Sequence, residues 1–178
     1  MLTSVKFAKT SLSLTLIALM AVAVAAERGD DSERKSKNGR AEGSIGGVSV
    51  VVEYGRPSAR DRTIFGGLVP YGEVWRTGAD EATTITFGAD VLVEGTSVPA
   101  GTYALFTVPG ESEWSVIFNS AAEQWGAFDH DSDQDVASIT VNSQVTDLVE
   151  TFTMTVGDDG VTMAWADRSV SFGVAAGS

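Results

Sequence analysis

From Val48 onward, apolar and polar side chains alternate in short runs. Val48, Val50, Val52 and Tyr54 share one face against Ser49, Val51 and Glu53. Ile85 and Phe87 alternate with Thr84 and Thr86, and Trp114, Val116 and Phe118 with Ser115, Ile117 and Asn119. Phe152, Met154 and Val156 oppose three threonines; Val161, Met163 and Trp165 oppose Thr162, Ala164 and Ala166; Val170, Phe172 and Val174 close the series. Tyr103–Val108 is a run of aromatic and branched residues. A period of two over such lengths is the strand signal.

The punctuation agrees. Gly157-Asp158-Asp159-Gly160, Glu94-Gly95-Thr96 and Pro109–Glu113 read as turns, because Gly and Asp tolerate the left-handed backbone that tight connections need. Ala166-Asp167-Arg168 reads as a further tight connection, and Ser120–Trp125 as the place for one helical turn. The expectation is an all-β domain: a single antiparallel β-sandwich or open barrel of about eight or nine short strands with one long loop. That loop, Arg56–Glu81, carries Pro57, Gly66-Gly67, Pro70, Gly72 and Gly78. Connections this long in a compact domain are uncommon and often functional.

The N-terminus is organised differently. Lys6 and Lys9 precede an apolar stretch, Leu12–Val24, and the small residues Ala23-Val24-Ala25-Ala26. This is the pattern of a secretory signal peptide over residues 1–26. The apolar stretch is short of the roughly 20 residues of a membrane span, so no stable membrane insertion is expected after cleavage. The destination is exported, periplasmic or secreted. Residues 27–44 hold five acids and five bases among Gly and Ser with no apolar period, which predicts a disordered linker. The β-domain is placed at 45–178. There is no cysteine, which removes disulfides and thiolate chemistry and leaves the core alone to hold the fold.

Charge sharpens the picture. From Ile45 to Ser178, 19 acids face five arginines and no lysine. Such a surface repels nucleic-acid phosphate and anionic lipid. Four of the five arginines (Arg56, Arg60, Arg62 and Arg76) fall in one short run with Tyr54, Tyr71, Trp75, Asp80 and Glu81.

The stretch V-P-Y-G-E-V-W-R-T-G-A-D-E-A-T-T-I, with Val98–Thr107, Glu113–Asn119 and Gln124–Asp129, resembles an exported bacterial domain-of-unknown-function family, number 2911. The resemblance covers nearly the whole domain and implies an exported β-rich fold. It implies no reaction, cofactor or catalytic residue. Where this chain has Asp80 the family pattern more often has Asn, and the added charge is expected to alter what the site binds or to add a salt bridge.

Three sites follow from the residues. The first is a small-molecule site at Tyr54, Arg56, Arg60, Trp75, Arg76 and Glu81. Guanidinium forks suit a carboxylate or phosphate, and an aromatic face suits a sugar. Against it stands internal pairing of these arginines with Glu53, Asp61, Asp80 or Glu81. The second is a carboxylate pair, Asp80 and Glu81, for general acid–base work in a hydrolase or lyase. The third is a calcium loop at Asp129, Asp131, Asp133 and Asp135, opposed by a solvated acidic turn. It departs from a helix–loop–helix calcium site, with Gln134 where Gly is required and Thr140 where Glu belongs. No other cofactor is implied. His130 is the sole histidine and is read as exposed, which argues against a Ser-His-Asp hydrolase or a zinc site. Trp114 and Trp165 are assigned to the core, and Trp125 is the tryptophan allowed at a cleft. The best reading is a non-catalytic exported domain that binds a small anionic, carboxylate or sugar ligand. The alternatives are a carboxylate-based enzyme and a structural envelope module. Oligomeric state is left open.

Overall fold

The computed structural model describes residues 28–177, so the expected signal peptide lies outside the described residues. The chain forms nine antiparallel strands in one open sheet: β1 (Lys37–Ile45), β2 (Val48–Arg56), β3 (Thr83–Phe87), β4 (Val91–Val93), β5 (Thr96–Val98), β6 (Gly101–Val108), β7 (Glu113–Asn119), β8 (Asp135–Val156) and β9 (Gly160–Ala176). Their spatial order is β1-β2-β3-β6-β7-β8-β9-β4-β5. The all-β expectation therefore holds, although β8 and β9, at 22 and 17 residues, are long rather than short. No helix among the described residues is long and apolar enough to cross a membrane.

Strand β8 turns the corner of the sheet. Its first part pairs with β7 up to Asn142, and from Ser143 it pairs with β9. The sheet curls until β1 and β2 lie against β8. A short extension of β2 then docks on β8: Ala59 N–H donates to Glu150 O at 2.7 Å and Phe152 N–H to Pro57 O at 2.9 Å. The Tyr54 hydroxyl crosses the same gap and accepts from Met154 N–H at 3.1 Å.

The alternating valines and aromatics fill the interior as expected. Trp114, Trp165, Phe87, Phe118, Phe152 and Phe172 are all buried there. The long loop joins this core rather than hanging from it, with Ile64, Phe65, Val69 and Trp75 buried in the same cluster. Trp75 stacks on Trp165 at 5.8 Å, and Phe65 meets Trp114 edge-on at 4.8 Å. The other face of β6 and β7 is also covered: Ala82, Ala104, Phe106 and Ile117 form a second small core beneath the segment that follows β7.

Three local expectations are corrected. Residues 27–44 were expected to be a disordered linker, yet Lys37–Ile45 forms β1 in register with β2. Lys37, Arg40, Glu42 and Ser44 face solvent, the inward positions Gly39, Ala41 and Gly43 are small and half-buried, and only Ile45 at the end is a buried apolar residue, so the strand carries little apolar signal. Ala166-Asp167-Arg168 is not a connection: β9 runs straight through it, with Ala166 at φ 51° where the pairing with β8 shifts register. A bulge absorbs the irregularity that resembles a turn in sequence. Ser120–Trp125 contains no helical turn; the short 3-10 turn is at Ser132–Gln134, capped by Asp131. The turn expected at Glu94-Gly95-Thr96 is present: β4 and β5 form a hairpin, with Glu94 and Gly95 both at positive φ.

Candidate functional site

The N-terminal segment is a strap built on arginine. The Arg28 side chain is 5% exposed. It donates to the carbonyls of Ala79 (2.8 Å), Glu81 (3.1 Å) and Ala82 (3.2 Å), and to Glu81 Oε2 at 2.9 Å. Burial pulls this guanidinium below its ordinary value, and Glu81 opposes the shift. Arg34 grips the same carboxylate with both terminal nitrogens, Nη2 to Oε1 at 2.6 Å and Nη1 to Oε2. Hydrogen bonding from Arg34 lowers the Glu81 pKa to about 2, outweighing the burial that would raise it. Arg40 pairs with Glu53 and Glu42. The loop end lies close against β2 because position 55 is glycine: a Cβ there would lie 2.2 Å from Ala79 O.

This pairing decides the fate of the loop arginines. Of the four acids expected to neutralise them, Glu53 and Glu81 are taken by Arg40, Arg28 and Arg34, and Asp61 and Asp80 form no ion pair among the described residues. Arg56, Arg60, Arg62 and Arg76 form no ion pair among the described residues. Arg60, Arg62 and Arg76 line one cleft of about 260 Å³, together with Lys35, Ser36, Pro57, Ser58 and Leu68. No acid lines it among the described residues. Arg62 is held in place by backbone, its Nε on Ala59 O at 2.9 Å and Nη2 on Ser58 O at 2.6 Å. Arg60 sits in a tight turn with Asp61, at φ 51° and 55°, closed by Arg62 N–H to Ala59 O at 3.1 Å. Two consecutive non-glycine residues in the left-handed region are strained. Arg56 Nε and Arg76 Nε are buried with no hydrogen-bond partner among the described residues.

The six residues expected to form one site are divided by the fold. Arg60 and Arg76 share the cationic cleft. Arg56 lies at the end of β2 with its stem across Gly39. Tyr54, 3% exposed, and Trp75, 8% exposed, belong to the core, and Trp75 Nε1 donates to Gly78 O at 3.2 Å. Neither presents a face to a ligand, because the alternation and the Trp165 stack turn both inward. Glu81 belongs to a second cleft, of about 400 Å³, with Arg28, Gly29, Ala82, Thr84, Ala122, Glu123, Gln124 and Trp125. Asp80 forms no ion pair among the described residues; at φ 64° its backbone takes the conformation that Asn also favours, and its carbonyl accepts from Gly126 N–H at 3.1 Å. Lys35 and Arg28 were missed. Their segment lacks apolar periodicity, and the one available signal was that its five bases stand beside an otherwise lysine-free, acidic domain.

The aspartates of the calcium candidate do not converge. Asp131 accepts from Asp133 N–H at 3.0 Å and Gln134 Nε2 at 3.2 Å, while Asp135 Oδ1 bonds Asn119 Nδ2 at 2.7 Å and His130 Nε2 at 3.0 Å. Asp129 and Asp133 project from the same exposed loop. Among the described residues no group of three or more His, Cys, Asp or Glu could hold a metal ion. His130 is not exposed as expected; it lies edge-on to Phe106 at 4.9 Å and helps close the second core.

Fold and clefts together define a small all-β protein of one curled sheet, with a basic cleft at the root of its long loop. Over residues 36–174 the chain matches the model of a protein family of unknown function, DUF2911, and it belongs to that family. The match begins at Ser36, just ahead of β1. No curated protein and no solved structure matches the chain.

Proposed function

We propose that this protein is a non-catalytic module, exported by its basic-then-apolar N-terminal segment, that binds a small multivalent anion bearing carboxylate or phosphate groups. The observation that carries the reading is the basic cleft itself: Lys35, Arg60, Arg62 and Arg76 around one cavity with no acid in its lining among the described residues. In a domain with 19 acids, clustering the few cations without neutralising them costs repulsion. A bound anion relieves that cost and supplies acceptors to forked donors.

Two rival readings have less support. A purely structural role for the arginines requires that each be satisfied by an internal acid, whereas none of the four loop arginines forms an ion pair among the described residues. Acid–base chemistry at Glu81 requires a carboxyl that exchanges protons near neutrality. Glu81, held by two guanidiniums with its pKa at about 2, stays ionised and occupied. The sugar option at the arginines weakens because Trp75 is in the core.

The test is thermal denaturation of the parent and of an Arg60→Ala/Arg76→Ala variant in phosphate, sulfate or citrate, against chloride at equal ionic strength. At ten times the dissociation constant, binding stabilises the parent by about 1.4 kcal/mol. A parent that responds to none of these anions, or a variant that responds equally, removes the reading.

A further inference from the structure

The second cleft has a different chemistry from the first. Its most prominent wall is Trp125, 60% exposed in a protein whose other three tryptophans are buried. Large aromatics left open beside a cavity are a mark of binding surfaces. The platform is rigid. Glu81 and Trp125 form a backbone bridge, Ala82 N–H donates to Gln124 O at 2.9 Å, and Gly126 N–H donates to Asp80 O at 3.1 Å. Asn119, fully buried, braces it from behind by accepting Gln124 Nε2 at 3.1 Å and Ala121 N–H at 3.1 Å.

These bonds also fix the amide of Gln124. Both contacts of Nε2 are to acceptors, Asn119 Oδ1 and Ala121 O. Oε1 is therefore the oxygen, and it is buried without a donor among the described residues. Glu123 is exposed and forms no ion pair among the described residues. Thr84 borders the same space. Glu81 is matched by Arg28 and Arg34, so the cleft makes no strong demand for an ionic ligand. Its needs are a flat apolar face for the indole and several hydroxyl donors at the rim.

From this we infer that the cleft of Trp125, Gln124, Glu123, Thr84 and Arg28 is a second binding site, and that its ligand is a pyranose sugar. A pyranose stacks its C–H face on an indole and directs hydroxyls outward from the ring edge. One hydroxyl donates to the Glu123 carboxylate, which is exposed at the rim. A volume of about 400 Å³ accommodates one ring and falls within the range of small-ligand pockets. The site is independent of the anion cleft.

The probes are glucose, N-acetylglucosamine and their β-1,4-linked trisaccharides, with sorbitol as a polyol lacking the ring. The readouts are tryptophan emission and isothermal calorimetry on the full protein. At least one sugar should give a saturable change in emission and a measurable heat, with sorbitol silent. Trisaccharide binding stronger than monosaccharide indicates a chain end as ligand, and equal binding indicates a free sugar; both support the site. Trp125→Ala should weaken binding at least about tenfold. Because Trp125 is exposed, the variant should keep its fold, and a parent-like melting curve checks this. Glu123→Ala should weaken binding by removing the exposed rim acceptor, whereas Arg60→Ala/Arg76→Ala should leave it unchanged. No saturable response to any of the four sugars, equal binding of sorbitol, or undiminished binding by Trp125→Ala overturns the proposal.

Discussion

Arg34 holds both carboxylate oxygens of Glu81, and that one pair ties a segment with no apolar pattern to the end of the long loop. Arg28 completes the clamp through Glu81 Oε2 and three backbone carbonyls. Glu81 is thereby engaged, and the loop's own arginines form no ion pair among the described residues.

The clamp gives stability a defined acid limb. The Glu81 pKa falls from 4.5 to about 2 on folding. A depressed carboxylate contributes stability above its unfolded value, and loses it as pH falls from about 4.5 towards 2. Glu81→Gln should cost about 1–2 kcal/mol at neutral pH, reduced from the full shift because the group is partly solvated. Urea denaturation at several pH values should show the two proteins converging near pH 2.

Trp75 and Tyr54 should behave as core residues. Trp75→Ala should destabilise by about 3–5 kcal/mol, because it leaves a void beside Trp165, Phe65 and Phe152. Tyr54→Phe should cost about 1–2 kcal/mol by taking the acceptor from Met154 N–H. Anion binding by the folded Tyr54→Phe protein should match the parent in calorimetry.

The strained turn at Arg60-Asp61 predicts a stabilising change. Asp61 has φ 55° and its side chain is exposed. Asp61→Gly removes the Cβ clash and should raise stability by about 1 kcal/mol, measured by thermal unfolding. It leaves all four cleft cations in place, so the anion response should persist.

Arg76 should show a trade between stability and binding. Its Nε is buried without a partner among the described residues, and an unsatisfied buried donor costs about 1–3 kcal/mol. Arg76→Met keeps the unbranched stem and deletes the orphan donor together with the charged head. Without added anion it should be as stable as the parent or more so, while its anion-induced shift in melting temperature is largely lost.

Asn119 should hold the cover of the second core. It is fully buried, donates to Asp131 O and Asp135 Oδ1, and accepts from Ala121 and Gln124. Asn119→Ala should cost about 2–3 kcal/mol. Amide exchange should accelerate through 120–131 before the central strands respond.

The β architecture was legible because it is written in local alternation. Val48–Tyr54, Trp114–Phe118 and Phe152–Met154 bury the side chains that their two-residue period selects. The turns at Glu94-Gly95 and Gly157–Gly160 were legible for a similar reason, since backbone conformation there is set by the residues themselves. The hydrophobic pattern did not reveal β1. Its Gly, Ser and charged residues earn a strand only by pairing with β2, which is a long-range hydrogen-bonding decision.

The chain alone determined that the few cations of an acidic β-domain gather near one long loop, and that its apolar residues form strands. Tertiary structure decided what those cations meet. Arg28, Arg34 and Arg40 reach Glu81 and Glu53 across 53, 47 and 13 positions, leaving Arg60, Arg62 and Arg76 to face Lys35 in an open cleft. It also turned Tyr54 and Trp75 inward and Trp125 outward. The physical reason is that periodicity reports which face of a strand is apolar, whereas ion pairing and cleft formation depend on distances between segments far apart in sequence.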